Sequence, residues 1–185
     1  MERTVDPVVR PAGDADLAAI AAIYAPYVES SAASFEEVPP SPEELRDRRG
    51  GSRRMPWLVA EGPDGEVVGF AFAYPHHSRP AYRWSVSCSV YLHESARGRG
   101  VATALYRPLL DALRDLGYVS AYAGIALPNE ASVALHERFG FRHVGTFPVT
   151  GFKLGAWRDV GWWWLPLRDP PDDPVEPADW QWKPR

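Results

Sequence analysis

The chain has 185 residues, 45% of them hydrophobic and 24% charged, with a net charge of −4 and a pI near 5.7. That length suits one domain with a sizeable buried core, and the acidic balance argues against a dedicated nucleic-acid binder, which would carry a basic face. Its one cysteine, Cys88, cannot close an internal disulfide, the amino terminus MERTVDPVVRP lacks the apolar run of a secretory signal, and no segment approaches membrane-spanning length, so a cytoplasmic protein is expected.

Val8, Val9 and Arg10 read as a short first strand ended by Pro11. Gly13 and Asp14 offer cap positions for a helix with Leu17, Ile20, Tyr24, Tyr27 and Val28 on one face, which Pro26 should bend or end. Ser41-Pro42-Glu43-Glu44 is a capping box with proline at the first helical position, the start of a second short helix. Trp57–Glu61 and Val67–Tyr74 read as a hairpin about the turn Pro63-Asp64-Gly65. A loop from His76 to Pro80 leads to Tyr82–Leu92, a long alternating third strand.

Val101, Leu105, Leu109, Leu113 and Leu116 keep helical spacing, with Pro108 inside and Gly117 closing the helix. Val119–Ile125 reads as a strand, Asn129–Phe139 as a helix, Phe141 onward as strand again, and about Asp159 to Leu167 as the last strand. From Asp169 onward, five prolines and several acids suggest an extended tail or arm. The order describes a mixed α/β single domain. Eight Trp and eight Tyr, with Trp162, Trp163 and Trp164 in a row, suit a core plus a subunit interface.

The loop Arg97-Gly98-Arg99-Gly100-Val101-Ala102 stands between the long strand and the long helix. Free amides at a helix start, together with the helix dipole, bind phosphate, and glycine lets the backbone come close. A P-loop would need Lys followed by Ser or Thr where Val101 and Ala102 stand, and a dinucleotide fingerprint would need a small third residue where Thr103 stands. As a bare pattern, a surface turn before a helix serves as well.

Four further segments supply a context: PWLVAE at Pro56–Glu61, AYRWSVSCSVYL at Ala81–Leu92, LPNEASVALHERFGF at Leu127–Phe141 and GFKLGAWRDVGWW at Gly151–Trp163. With VRPAGDADL near the start, they extend over about residues 8 to 168. On these segments the chain resembles the GNAT acyltransferases, whose Arg/Gln-x-x-Gly-x-Gly/Ala loop holds the pyrophosphate of acetyl-CoA. Within that family it is similar to the phosphinothricin and methionine sulfoximine (sulfone) N-acetyltransferase branch. The resemblance implies an α/β GNAT domain over residues 1–168, its mixed, mostly antiparallel sheet flanked by helices, and a proline-rich tail over residues 169–185.

The implied reaction is direct transfer of acetyl from acetyl-CoA, as co-substrate, to a small-molecule amine. Such a step must bring thioester and amine together, remove a proton from the amine, and offer donors to the developing oxyanion and the leaving thiolate. The resemblance places the diphosphate on Arg97, Gly98, Arg99, Gly100, Val101, Ala102 and Thr103. It has the long strand bulge and splay from its neighbour, so that pantetheine pairs with Val90, Tyr91 and Leu92. Asn129, Ser132 and His136, three and four apart, share a helix face. Asn129 and Ser132 are expected at the cofactor, and His136 donates to the thiolate or orients water.

Relatives carry Glu as the presumed base where this chain has Ser87. A serine hydroxyl needs another group to take the proton onward. Either Ser87 holds a water, or another group such as His136 serves, or the substrate differs. Cys88 alternates to the other strand face and reads as packing. The segments Tyr74–Trp84 and Thr150–Trp157 should wall the acceptor, with Tyr74, Arg79, Tyr82, Trp84 and Lys153 as contacts, the cations suiting a carboxylate or phosphinate. His76-His77 has no third ligand at metal spacing, so no metal site is expected. A homodimer is expected, as the family commonly pairs. A non-catalytic acyl-CoA-binding module is the reading from another class, and polyamines, aminoglycosides and protein amino termini are alternative acceptors.

Overall fold

The computed structural model describes residues 7–51 and 54–182, in which seven strands form one sheet in the order β1-β2-β3-β4-β5-β7-β6. The strands are β1 Val8–Pro11, β2 Trp57–Glu61, β3 Val67–Pro75, β4 Ser85–Leu92, β5 Ser120–Ala126, β6 Arg142–Lys153 and β7 Ala156–Pro166; the helices are α1 Leu17–Glu29, α2 Pro42–Gly50, α3 Val101–Asp115 and α4 Glu130–Arg138. Every pairing is antiparallel except β4 with β5.

Local chemistry explains most of the boundaries. Ser41 accepts from the Glu44 amide at 3.2 Å while Glu44 reaches back to the Ser41 amide at 2.7 Å, the reciprocal cap that starts α2. Pro26 does not end α1; the helix runs three residues further, and the Ser30 amide bonds the Pro26 carbonyl. Nor does the long strand start at Tyr82. Pro80–Tyr82 is a 3-10 turn, closed by amide bonds from Tyr82 to Arg79 and from Arg83 to Pro80, and β4 begins at Ser85. Proline's fixed φ favours that turn over extended chain.

The sheet carries apolar side chains on both faces because helices cover both. On one face α3 packs Leu105, Leu109 and Leu113 over Val86, Ala121 and Trp163. On the other, α1 and α2 pack Leu17, Ile20, Tyr24 and Leu45 over Trp57, Val59 and Phe70. Residues 169–182 contain neither helix nor strand, yet they fold back on the domain. The Trp84 indole donates to the Val175 carbonyl at 2.8 Å, the Ala178 amide bonds Leu116, and Trp180 and Trp182 pack on the α3-side core. Among the described residues no helix is long and apolar enough to cross a membrane.

The feature that builds the site is a failure of pairing. Among the described residues the only parallel contact holds for three residue pairs, Ser85–Ser87 against Ser120–Tyr122, and then β4 and β5 diverge. The expected bulge is not what opens the sheet: the β3–β4 register runs unbroken from Gly69↔Leu92 to Pro75↔Val86. The gap follows instead from β5 being held by β7 along all seven of its residues while β4 stays with β3.

Candidate active site

Two cavities of about 850 Å³ each meet at that gap. One is a polar groove lying between the Arg/Gly loop, the first turn of α3, α4 and the separated edges of β4 and β5. Gly98 and Gly100 hold positive φ of 72° and 81°, and a Cβ at either would meet no atom within 4 Å. Glycine is required there by conformation, not by crowding within the protein. Gly100 is also the N-cap of α3 and supplies no side-chain cap, so the first-turn amides of Val101, Ala102 and Thr103 remain for another acceptor. The Arg97 guanidinium lies 5.2 Å from the ring centre of Tyr27, at the groove's edge, while Arg99 is exposed and outside the lining.

Backbone polarity along β4 decides which amides face the gap. The His93 amide bonds the Val68 carbonyl and the His76 amide bonds the Ser85 carbonyl, so odd-numbered residues of β4 exchange bonds with β3. The even-numbered residues Cys88, Val90 and Leu92 therefore turn theirs toward the gap. Leu92 is already engaged: the Tyr27 hydroxyl donates to its carbonyl at 2.7 Å and accepts from its amide at 3.3 Å. Of the three expected backbone contacts, only Val90 thus offers a gap-facing pair; Tyr91 lines the site with its ring. Cys88, which the spacing did not single out, has its backbone in the same position, and burial pushes its thiol up to about 12, as suits packing.

On α4, Asn129 caps the helix by accepting from the Ser132 amide at 3.2 Å, and both residues line the groove. His136 is 4% exposed. Its Nδ1 lies 2.7 Å from the Ser132 carbonyl and its Nε2 lies 2.8 Å from the Tyr106 hydroxyl. A carbonyl can only accept, so Nδ1 carries the proton and Nε2 accepts from Tyr106. Burial lowers its pKa below the ordinary histidine value and keeps the ring neutral. Both nitrogens thus have protein partners, and the residue borders the groove.

The second cavity is aromatic and opens on the α1–α2 face of the sheet. Trp57, Phe70, Phe72 and Tyr91 stack or tilt against one another along its wall, and Trp162 closes the far side. One ion pair edges it: Arg48 forks onto Glu36 at 2.8 and 2.9 Å, and the Tyr24 hydroxyl donates to the same carboxylate at 2.9 Å. Arg48 holds the Glu36 carboxyl below the ordinary range.

Ser89, Tyr91, Gly124 and Ala126 line both cavities, so a chain in the groove and a molecule in the aromatic pocket would meet there. Gly124 packs closely there: a Cβ would sit 3.1 Å from the Trp162 ring, so a larger residue would press on that ring. Ser87, 1% exposed, lies beside the junction with its hydroxyl 3.0 Å from His76 Nδ1.

The expected acceptor contacts fare unevenly. Tyr74 lines the aromatic cavity, but Arg79, Tyr82, Trp84 and Lys153 do not. Arg79 is exposed, Tyr82 stacks on His77 at 4.7 Å, and Trp84 is tied to the tail. Lys153 is buried and donates to the Glu36 carbonyl, holding the segment that presents Glu36 and Phe35. Glu36, Arg48 and Phe72 were not singled out from the sequence, and Trp162 was read only with its two neighbours as core or interface, because the four come from distant parts of the chain. The three consecutive tryptophans have separate places in the domain. Trp163 is core, Trp162 walls the cavity, and Trp164 donates to Ser120.

Comparison with known proteins agrees with this geometry. The model of the acetyltransferase (GNAT) family matches residues 19–141. A phosphinothricin N-acetyltransferase of Streptomyces coelicolor is 40% identical over 180 residues, covering 90% of this chain and 100% of that protein. An L-methionine sulfoximine/L-methionine sulfone acetyltransferase of Pseudomonas aeruginosa is 35% identical, covering 82% of this chain and 90% of that protein. Among solved structures, a GNAT superfamily phosphinothricin acetyltransferase from Sinorhizobium meliloti in complex with AcCoA superposes with a TM-score of 0.85 at 34% identity, over 92% of this chain and 96% of that one.

Proposed function

This chain belongs to the acetyltransferase (GNAT) family, and from that premise we propose that it transfers acetyl from acetyl-CoA to the primary amine of a small amino acid or analogue, of the phosphinothricin or methionine sulfoximine kind, in a ternary complex in the cytoplasm. The observation that carries the proposal is the meeting of a polar groove and an aromatic pocket at Ser89, Tyr91, Gly124 and Ala126. An acyl chain and an amine entering from opposite faces of the sheet come together there without a covalent enzyme intermediate, and the inert, buried Cys88 offers none.

In this reading the diphosphate of acetyl-CoA sits on the amides of Val101, Ala102 and Thr103, with Arg97 adding charge from the flank. The gap-facing backbone of Cys88 and Val90 pairs with the pantetheine arm as a missing strand would. An amide of that same edge is the donor for the developing oxyanion. Asn129 and Ser132 line the groove, and His136 acts by locking α4 onto Tyr106. The Glu36–Arg48 pair offers an α-amino acid partners for both of its charges at the cavity edge.

The transferase unit is residues 1–168 and the tail is residues 169–185, of which the described part, 169–182, straps the end of α3. The molecule pairs through the β6–β7 hairpin, where Val144, Phe147, Val149, Phe152, Leu154 and Trp157 are each 53–62% exposed. Contiguous apolar exposure on this scale at a sheet edge marks an interface. Thiol release from acetyl-CoA, measured with phosphinothricin, methionine sulfoximine, methionine sulfone, a polyamine, an aminoglycoside and a short peptide, tests the function. Acceptor-dependent release with the amino-acid analogues is expected. Saturable acetyl-CoA binding with no release for any amine would leave a binding module instead.

A further inference from the structure

An amine attacks a thioester only as the free base, so a proton must leave the junction. The carboxylate lining the aromatic cavity, Glu36, is already held by Arg48 and Tyr24, and both nitrogens of His136 are engaged. A line of hydroxyls leads elsewhere. Tyr74 and Ser89 line the cavity. Ser87 stands directly across the β3–β4 ladder from Tyr74, and Ser89, two residues further on, shares the same face of β4. Ser87 Oγ in turn lies 3.0 Å from His76 Nδ1. The His76 ring is fixed by stacking on Tyr122 at 4.2 Å and by an edge contact with Trp162 at 5.5 Å, and it is half-buried.

We propose that His76 is the proton acceptor of the transfer, reached from the amine through the hydroxyls of Ser89, Tyr74 and Ser87. The proposal rests on the acetyltransferase reading and supplies the base that Ser87 by itself cannot be. The proton balance is simple. The substrate ammonium gives one proton to the first hydroxyl, each hydroxyl passes its own proton on, and His76 Nδ1 takes the last to become an imidazolium that discharges to solvent. The neutral amine then forms the new N–C bond as the C–S bond breaks, and the second N–H proton leaves with the thiolate as coenzyme A thiol.

The groups facing His76 suit that task. They are Ser87 from β4, Tyr122 from β5, Trp162 from β7, and His77 and Tyr82 from its own loop and the following turn. None of these is a carboxylate. Burial, and then the neighbouring His77, lower its pKa below the ordinary histidine value, so at neutral pH the ring is an empty acceptor. With Nε2 protonated, Nδ1 accepts from Ser87; after transfer, the same nitrogen donates back.

The test is kcat and KM for both substrates from about pH 5 to 9 in the wild-type protein, H76Q, S87A and the double variant H76Q/S87E, with acetyl-CoA-induced thermal stabilisation as the folding control. H76Q and S87A are each expected to lower kcat at pH 7 by about 100-fold with the acetyl-CoA KM unchanged. The acid limb of the wild-type profile should vanish in H76Q, and H76Q/S87E should recover rate, because a carboxylate in the serine's place takes the proton directly. An unchanged rate and pH profile in H76Q overturns the relay. So does a loss in H76Q that S87E does not restore, which marks His76 as packing alone. A wild-type protein that acetylates no amine overturns the acetyltransferase reading, and the relay with it.

Discussion

Replacing both glycines of the anion loop with alanine, G98A/G100A, separates what the loop does for the fold from what it does for the ligand. Both residues hold positive φ, and a Cβ on either would touch nothing within 4 Å. The free protein therefore suffers only the left-handed backbone penalty, about 1–2 kcal/mol per residue, or about 2–4 kcal/mol in all. For a domain of this size that lowers Tm by roughly 4–16 °C. On the proposed binding of acetyl-CoA, the same methyl groups would stand where the diphosphate approaches. At an acetyl-CoA concentration of about 100 Kd the wild type gains about 2.7 kcal/mol; a 100-fold weaker variant at that concentration gains about 0.4 kcal/mol. Thermal denaturation of both proteins with and without acetyl-CoA reads the two effects separately. If the variant melts lower yet keeps the full ligand-induced shift, the diphosphate does not lie on this loop, and the assignment of the groove is wrong.

Four further outcomes are expected. Tyr106→Phe removes the donor to buried His136 Nε2 and should cost about 1–3 kcal/mol, seen as a lower urea midpoint at unchanged slope; an unmoved midpoint refutes the pairing. Because the folded-state pKa of His136 lies below its unfolded value, its contribution is complete above about pH 6.5 and is lost as pH falls through the folded value, so His136→Phe should flatten that part of the wild-type decline. Asp16→Asn breaks a buried carboxylate that accepts from Arg10 at 2.7 and 2.8 Å and from the Gly13 amide at 2.7 Å. It should cost about 2 kcal/mol at pH 7. Arg10 lowers the folded-state pKa of Asp16, so this contribution is present above the unfolded carboxylate value and fades in acid; a pH-independent difference in urea midpoint would contradict it. Trp157→Asp on the exposed β6–β7 hairpin should turn a dimer into a monomer by light scattering, and an unchanged mass would move the interface elsewhere.

Elements whose causes are local can be read from the chain alone. The Ser41 capping box, the Gly65 turn, the helical spacing from Val101 to Leu116 and the Arg/Gly loop are each written in a few neighbouring residues, and the structure places them where that chemistry requires. Pro80 was the exception. Alternation ran through Tyr82, and a turn set by proline geometry won over it. Everything that depends on pairing between distant strands was settled by the assembled sheet. The gap between β4 and β5 exists because two ladders pull those strands apart, and that divergence selects Cys88 and Val90 as the exposed backbone and hands Leu92 to Tyr27. Tertiary structure also brings Glu36, Arg48, Phe72 and Trp162 around one cavity and sets His76 against Ser87, eleven positions apart in the chain. Periodicity fixes which way a side chain points along its own strand or helix; which groups from other elements it meets is fixed by register and splay, which no single segment contains.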